Sequence, residues 1–232
     1  MDRKSPRSYL AAFGALLLLS AAVSVRADSI TFDVSTSTSA LATAPGSSSG
    51  PFEIAFVLLD AGDVGDPNNN ASVTNFAFGG GSAGTVDSSA SVGTFSGDLS
   101  STVTLADTSG LSSFASGFAP GNNFSFDVTL NTAALPGDEF AFFILDNTGA
   151  PILTTDSCTA SSGECALFSA TIGTGGSVIT QDFAATDPDL AGVVTTSSVV
   201  TPESSSVVLL GAGLIALAIL ARRGPGPLAR PR

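Results

Sequence analysis

The chain has 232 residues, a formal charge of −12, neither histidine nor tryptophan, and 8 Lys and Arg against 20 Asp and Glu. All the basic residues lie near the ends (Arg3, Lys4, Arg7 and Arg26; Arg222, Arg223, Arg230 and Arg232), while only Asp2 and Glu203 of the acids fall outside residues 28–201, which leaves that body 18 acids and no cation. This excludes nucleic-acid binding through phosphate neutralisation, serine or cysteine catalysis with a His or Lys base, imidazole metal ligation and internal ion pairs, so the body's carboxylates must be solvated, hydrogen-bonded to backbone or bound to cations.

At the N-terminus, Arg3, Lys4 and Arg7 precede an apolar run from Leu10 to Leu19, and Val25-Arg26-Ala27 closes the segment. A basic stretch, a short apolar core and a small-residue site define a secretory signal peptide over residues 1–27, with cleavage after Ala27. A core of about ten residues is too short to anchor the chain in a membrane.

The body from residue 28 is long enough for one domain, and its regularly placed Phe, Val, Ile and Leu argue against disorder. Its period is two almost throughout. Strands are expected at Ser29–Val34, Phe52–Leu59, Ala71–Phe78, Ser101–Ala106, Asn123–Leu130, Glu139–Leu145, Cys165–Ile172, Ser177–Gln181 and Gly192–Thr196. In the second of these, Phe52, Ile54, Phe56 and Leu58 share one face. Turn residues such as Gly79-Gly80-Gly81, Pro120-Gly121-Asn122 and Pro136-Gly137-Asp138 separate the runs. Many short alternating strands with such punctuation predict an all-β fold, an antiparallel β-sandwich of jelly-roll or Greek-key type spanning residues 28–183. Two runs echo each other, Glu53 to Asp60 and Glu139 to Asp146, and both are apolar enough to be central strands covered on two faces.

Two features of the body carry candidate chemistry. The loop from Asp60 to Asn70 concentrates oxygen donors, with Asp60, Asp63, Asp66 and Asn68 as candidate Ca²⁺ ligands. Its spacing matches no EF-hand, and a solvated hairpin loop is the plainer reading. Cys158 and Cys165 enclose six residues, and two cysteines in an exported chain are expected to pair as a disulfide rather than remain thiols or form a redox site. Carboxylate pairs capable of glycoside hydrolysis are conceivable in such a fold, but the absence of Trp, and a single Tyr that sits in the signal segment, argue against an enzyme acting on sugars.

Residues 184–203 lose aromatics and become rich in Thr, Ser and Val, the composition expected of a stalk. Beyond it, residues 204–221 give about 18 residues without an ionisable side chain, enough at about 1.5 Å per residue to cross a hydrocarbon core as one helix. Arg222 and Arg223 follow as a stop and mark a cytoplasmic side for the tail of residues 224–232. A buried core helix would need a polar face, and this segment has none.

The conjunction of Pro202-Glu203, this apolar helix and Arg222-Arg223 resembles the PEP-CTERM sorting signal of exported proteins from Gram-negative bacteria that make extracellular polysaccharide. The family's motif is Pro-Glu-Pro, and Ser204 stands here in place of the second proline. The resemblance covers about 30 residues. It implies export through the Sec pathway, recognition by an exosortase, a membrane-held precursor cut near Pro202 and Glu203, and a final place at the cell surface or in an extracellular matrix beside polysaccharide. The body loosely resembles uncharacterised domains that precede such signals, and no activity follows from that. Together these readings describe a non-enzymatic surface or matrix protein, with a calcium-dependent carbohydrate-binding module or a plainly anchored surface protein as alternatives.

Overall fold

The computed structural model describes residues 29–43, 51–62, 68–108, 110–131, 136–155, 165–186 and 195–201. These form twelve strands: β1 (Ser29–Ser37), β2 (Phe52–Leu59), β3 (Asn70–Ala77), β4 (Ser82–Val86), β5 (Thr94–Gly97), β6 (Val103–Ala106), β7 (Leu111–Ala119), β8 (Asn123–Asn131), β9 (Glu139–Leu145), β10 (Phe168–Ile172), β11 (Val178–Asp182) and β12 (Thr196–Thr201), with one 3₁₀ turn at Leu41–Thr43. They build two six-stranded antiparallel sheets. Sheet A has the order β12-β1-β8-β3-β6-β5 and sheet B the order β11-β10-β9-β2-β7-β4.

The alternation read from the sequence places the core between the sheets. Phe52, Ile54, Phe56 and Leu58 are each at most 2 % exposed, and from sheet A Phe32, Val34, Phe124, Phe126 and Val128 meet them in one continuous cluster. Phe56 is the hub: its ring lies 5.1 Å from Phe126, 5.8 Å from Phe142, 5.9 Å from Phe140 and 6.2 Å from both Phe76 and Phe114. Rings at these separations add attraction beyond the area they bury.

The two echoing apolar runs are β2 and β9. They are the two central strands of sheet B and pair with each other from Glu53↔Leu145 to Leu59↔Glu139. A strand with neighbours on both edges and cover on both faces needs little polarity, and that is why both runs are apolar on consecutive residues.

Register shifts once in each sheet, in β4 against β7 between Ala83 and Val86 and in β3 against β8, where packing explains it. In β3 the pairing with β8 slips between Thr74 and Ala77, and Asn75 takes φ 57. Strict alternation from Val73 would have turned Phe76 outward. The bulge instead turns Phe76 and Phe78 toward Phe124, at 6.3 and 5.3 Å. Asn tolerates the left-handed conformation, and its Nδ2 donates to Asp127 Oδ2 at 2.6 Å.

Three strands were not expected from the sequence, β4, β5 and β7, and β12 shares only Thr196 with the strand expected at Gly192–Thr196, of which residues 192–194 lie outside the described residues. The body also runs further than residue 183. Ala184 bridges Thr195, Ala185 is buried, and β12 pairs with β1 from Thr31↔Thr201 to Thr36↔Thr196. An edge strand needs one apolar face at most, so a Thr/Ser/Val run without aromatics suffices there. Residues 1–28 and 202–232, which carry the signal segment with Ala27, the sorting motif Pro202 and Glu203, the apolar segment and Arg222 and Arg223, lie outside the described residues. Among the described residues no helix is long and apolar enough to cross a membrane.

Candidate functional site

A body with 18 acids and no cation poses one question first: what donates to the carboxylates. Backbone amides are a large part of the answer. Asp87, Asp98 and Asp146 repeat one local device, in which Oδ1 accepts the backbone N–H two residues on, at 2.7 Å from Ser89, 2.8 Å from Ser100 and 2.8 Å from Thr148. The hydroxyl of that same residue donates to the same oxygen. Each is an Asp-x-Ser/Thr turn, a motif legible in the sequence. The hydroxyl and then the amide of Ser89 hold Asp87 below its ordinary range, and Ser100 does the same for Asp98.

Three further carboxylates sit inside the end of the sandwich where β2, β6 and β9 meet their loops. Asp60, Asp107 and Asp138 are 5 %, 2 % and 0 % exposed. Asp60 Oδ1 accepts from Gly62 N at 2.6 Å, Asp138 Oδ1 from Ala61 N at 3.1 Å, and Asp107 Oδ1 from Gly110 N at 2.7 Å. Asn69 joins them by donating from Nδ2 to Leu59 O at 3.0 Å, while its own carbonyl accepts Asp107 N at 3.0 Å. The structure thus brings the start of the acidic loop against Asp138 and its end, at Asn69, against Asp107. Of the proposed Ca²⁺ ligands, Asp60 is turned inward as a loop cap, Asn68 accepts on its carbonyl from Asn70 Nδ2 at 3.1 Å, and Asp63 and Asp66 lie outside the described residues. Among the described residues no three of His, Cys, Asp and Glu gather closely enough to hold a metal.

A cleft of about 330 Å³ opens at the other end of β2, lined by Glu53, Asp87, Asp146 and Thr148 among others. The Glu53 and Asp87 carboxyls are neighbours in this cleft. Burial first, and then the neighbouring Asp87 charge, push Glu53 above its ordinary value. A neighbouring like charge disfavours ionisation, so of the two acids Glu53 is the one more reluctant to ionise. Read from sequence, Asp138 and Glu139 beside their turn are an ordinary solvated strand entry; the structure corrects this for Asp138, which is 0 % exposed, and nothing in the local pattern marks Asp107 as inward-facing either. The Glu53–Asp87 pair is equally invisible, because 34 positions separate its members along the chain.

The outer faces of the two sheets differ. Sheet B carries a second apolar cluster there, with Ala55, Ala115, Ala141, Phe143, Leu145 and Ala166 all buried. A trough of about 360 Å³ lies across it, between Leu59, Phe143 and Ile179. Cys165, which precedes β10, is buried and is not a free thiol. Cys158 lies outside the described residues.

No protein-family model matches this chain, and neither a curated protein nor a solved structure matches it.

Proposed function

We propose that the chain is an exported, non-enzymatic surface or matrix protein, sorted by its C-terminal segment and processed at Pro202 and Glu203 by an exosortase. The observation that carries this reading is the position of β12. The last strand among the described residues ends at Thr201, immediately before Pro202, so a cut at the motif would release a domain that keeps all twelve described strands. The composition supports the same reading, since removing residues 1–27 and the segment after Glu203 removes every basic side chain and leaves a polyanion suited to a hydrated extracellular matrix. The strand order β1-β8-β3-β6 opposite β2-β7-β4 supports the jelly-roll form of sandwich, extended here by β9 to β12. Cys158 and Cys165 are proposed to pair, stapling the loop before β10.

The test is a Pro202→Ala, Glu203→Ala variant expressed in a host that carries an exosortase, with mass spectrometry of the mature C-terminus. The expected result is an uncut precursor retained in the membrane fraction. Wild-type processing of the variant would sink the sorting reading and leave a plain membrane anchor.

A second reading, a calcium-dependent carbohydrate-binding module, draws on the approach of the Asp60 loop to buried Asp138. Millimolar Ca²⁺ should then raise the melting temperature, and Asp138→Asn should abolish the rise. An unchanged melting curve removes this reading.

A further inference from the structure

The trough on the outer face of sheet B is built by rank. Leu59, Glu139, Thr171 and Ile179 stand side by side on β2, β9, β10 and β11, and Val57, Ala141, Ser169 and Gln181 form the next rank. The middle of that second rank is small, because Ala141 and Ser169 leave a floor between taller neighbours. Four strands at about 4.8 Å spacing make the floor roughly 14 Å long. Its walls are aliphatic and aromatic, and Ile179, 60 % exposed, stands open at the β11 edge. Thr171, Ser169 and Gln181 supply hydroxyl and amide groups, and Glu139 sits at one side.

Charge decides what fits. With no Lys, Arg or His in residues 28–201, the trough has nothing to neutralise an anion. The summed field of an all-acidic body draws cations toward a low-dielectric groove that already contains Glu139. A neutral sugar chain is less well served, because ring stacking needs an open aromatic face, and Phe143, the aromatic beside the floor, is only 8 % exposed. We propose that this trough docks an extended, basic, amphipathic peptide segment of a partner protein. The segment lays aliphatic side chains against Leu59, Phe143 and Ile179 and sets a cationic side chain opposite Glu139. The interaction goes beyond sorting and does not depend on it.

The experiment uses the full chain and a fluorescein-labelled peptide of alternating lysine and valine, titrated by anisotropy beside its glutamate–valine counterpart. The lysine peptide is expected to bind saturably at one site, and the glutamate peptide not at all. Gln181→Arg places a cation at the trough from an exposed position and should weaken binding at least about tenfold, with Glu139→Gln weakening it several-fold. Asp33→Asn, which removes one charge from the outer face of sheet A, should leave binding within about twofold. Equal weakening by Asp33→Asn and Glu139→Gln would reduce the interaction to diffuse charge attraction and overturn the proposal. Failure of the lysine peptide to saturate would overturn it too. So would binding of a neutral cello-oligosaccharide that is sensitive to Gln181→Arg while the peptide stays unbound. Melting curves of each variant identify any loss caused by misfolding, and a second trough variant, Thr171→Arg, replaces one that melts early.

Discussion

Sheets A and B share one core but face the solvent differently. Across the outside of sheet A, Thr31, Thr129, Ser72, Thr104 and Ser96 stand in one rank over five strands, and Thr31 and Thr129 hydroxyls are 2.8 Å apart. Asp33 and Asp127 pair in the rank beside it. The matching surface of sheet B buries Ala55, Ala115, Ala141, Phe143 and Leu145, with Glu139, Ser169, Thr171 and Gln181 beside them along the trough. Sheet A follows the ordinary rule for an antiparallel layer, apolar inside and polar outside, whereas sheet B is apolar on both sides. The difference teaches that burial alone does not locate the core, because sheet B keeps a second buried apolar cluster on the face turned away from it.

The comparison breaks most visibly at the shared core. Phe56→Ala removes the ring that five others contact and should cost about 3–5 kcal/mol in urea unfolding, whereas Thr129→Ala on the outside of sheet A should cost less than about 1 kcal/mol. If the two costs are similar, the assignment of inner and outer faces is wrong. A sharper probe places the same charge on both outer faces. Ala141→Asp introduces an acid at a site 3 % exposed and should destabilise by about 3 kcal/mol. Ser125→Asp on sheet A should be close to neutral, and an equal loss at the two positions would erase the distinction between the sheets.

Next in size is the proposed staple beside β10. Replacing Cys158 and Cys165 together with serine should lower stability by about 2–3 kcal/mol in the chain-entropy account. No change on reduction of the wild-type protein would mean that the two sulfurs are not joined.

The smallest expected effect is electrostatic, with Glu53 and Asp87 on sheet B set against Asp98 in the β5–β6 turn of sheet A. Because the folded state raises Glu53 above its ordinary value of 4.5, its contribution is fully present below that pH and is lost as pH rises through the folded value. Asp87 and Asp98 act in the opposite sense: held below 3.8, they support the fold above that pH and lose effect as pH falls through their lowered values. Glu53→Gln should therefore raise the melting temperature at neutral pH and flatten its decline above about pH 4.5. A pH profile that superimposes on wild type would show that burial and the Asp87 charge do not raise Glu53.

Much of this architecture was legible because the sequence obeys a period of two. β9 begins and ends at the expected residues, and the inward set of β2 is the one its alternation marks. The apolar echo also identified the two centre strands of sheet B. β7 escaped notice for a physical reason: two of its inward positions are Ser112 and Ser116, both 0 % exposed, so hydroxyls interrupt the apolar stripe. Ser116 faces Ile54 and Ser112 faces Leu58 across the ladder, small opposite large. Ser112 is satisfied by donating to Ala106 O at 2.7 Å and accepting Thr94 N at 3.0 Å. β4 and β5 are short, glycine-containing edge segments with little burial to mark them. The candidate sites were harder to read still. The Asp-x-Ser/Thr turns are local and could be found, but the Glu53–Asp87 pair, the Asp60–Asp138 approach and the outer trough arise only when distant strands meet.

The pairing of β12 with β1 has a consequence for the order of events during synthesis. Thr36 and Thr196, whose hydroxyls lie 2.9 Å apart, are 160 positions distant in the chain. A polypeptide emerging from its N-terminus therefore holds β1 with one flank open until almost the whole body exists. Closing so long a loop is entropically slow, so the completed sandwich is a late product. During that interval β1 is a waiting template for any extended chain, and the speed with which residues 196–201 arrive sets the time over which a wrong strand can take their place.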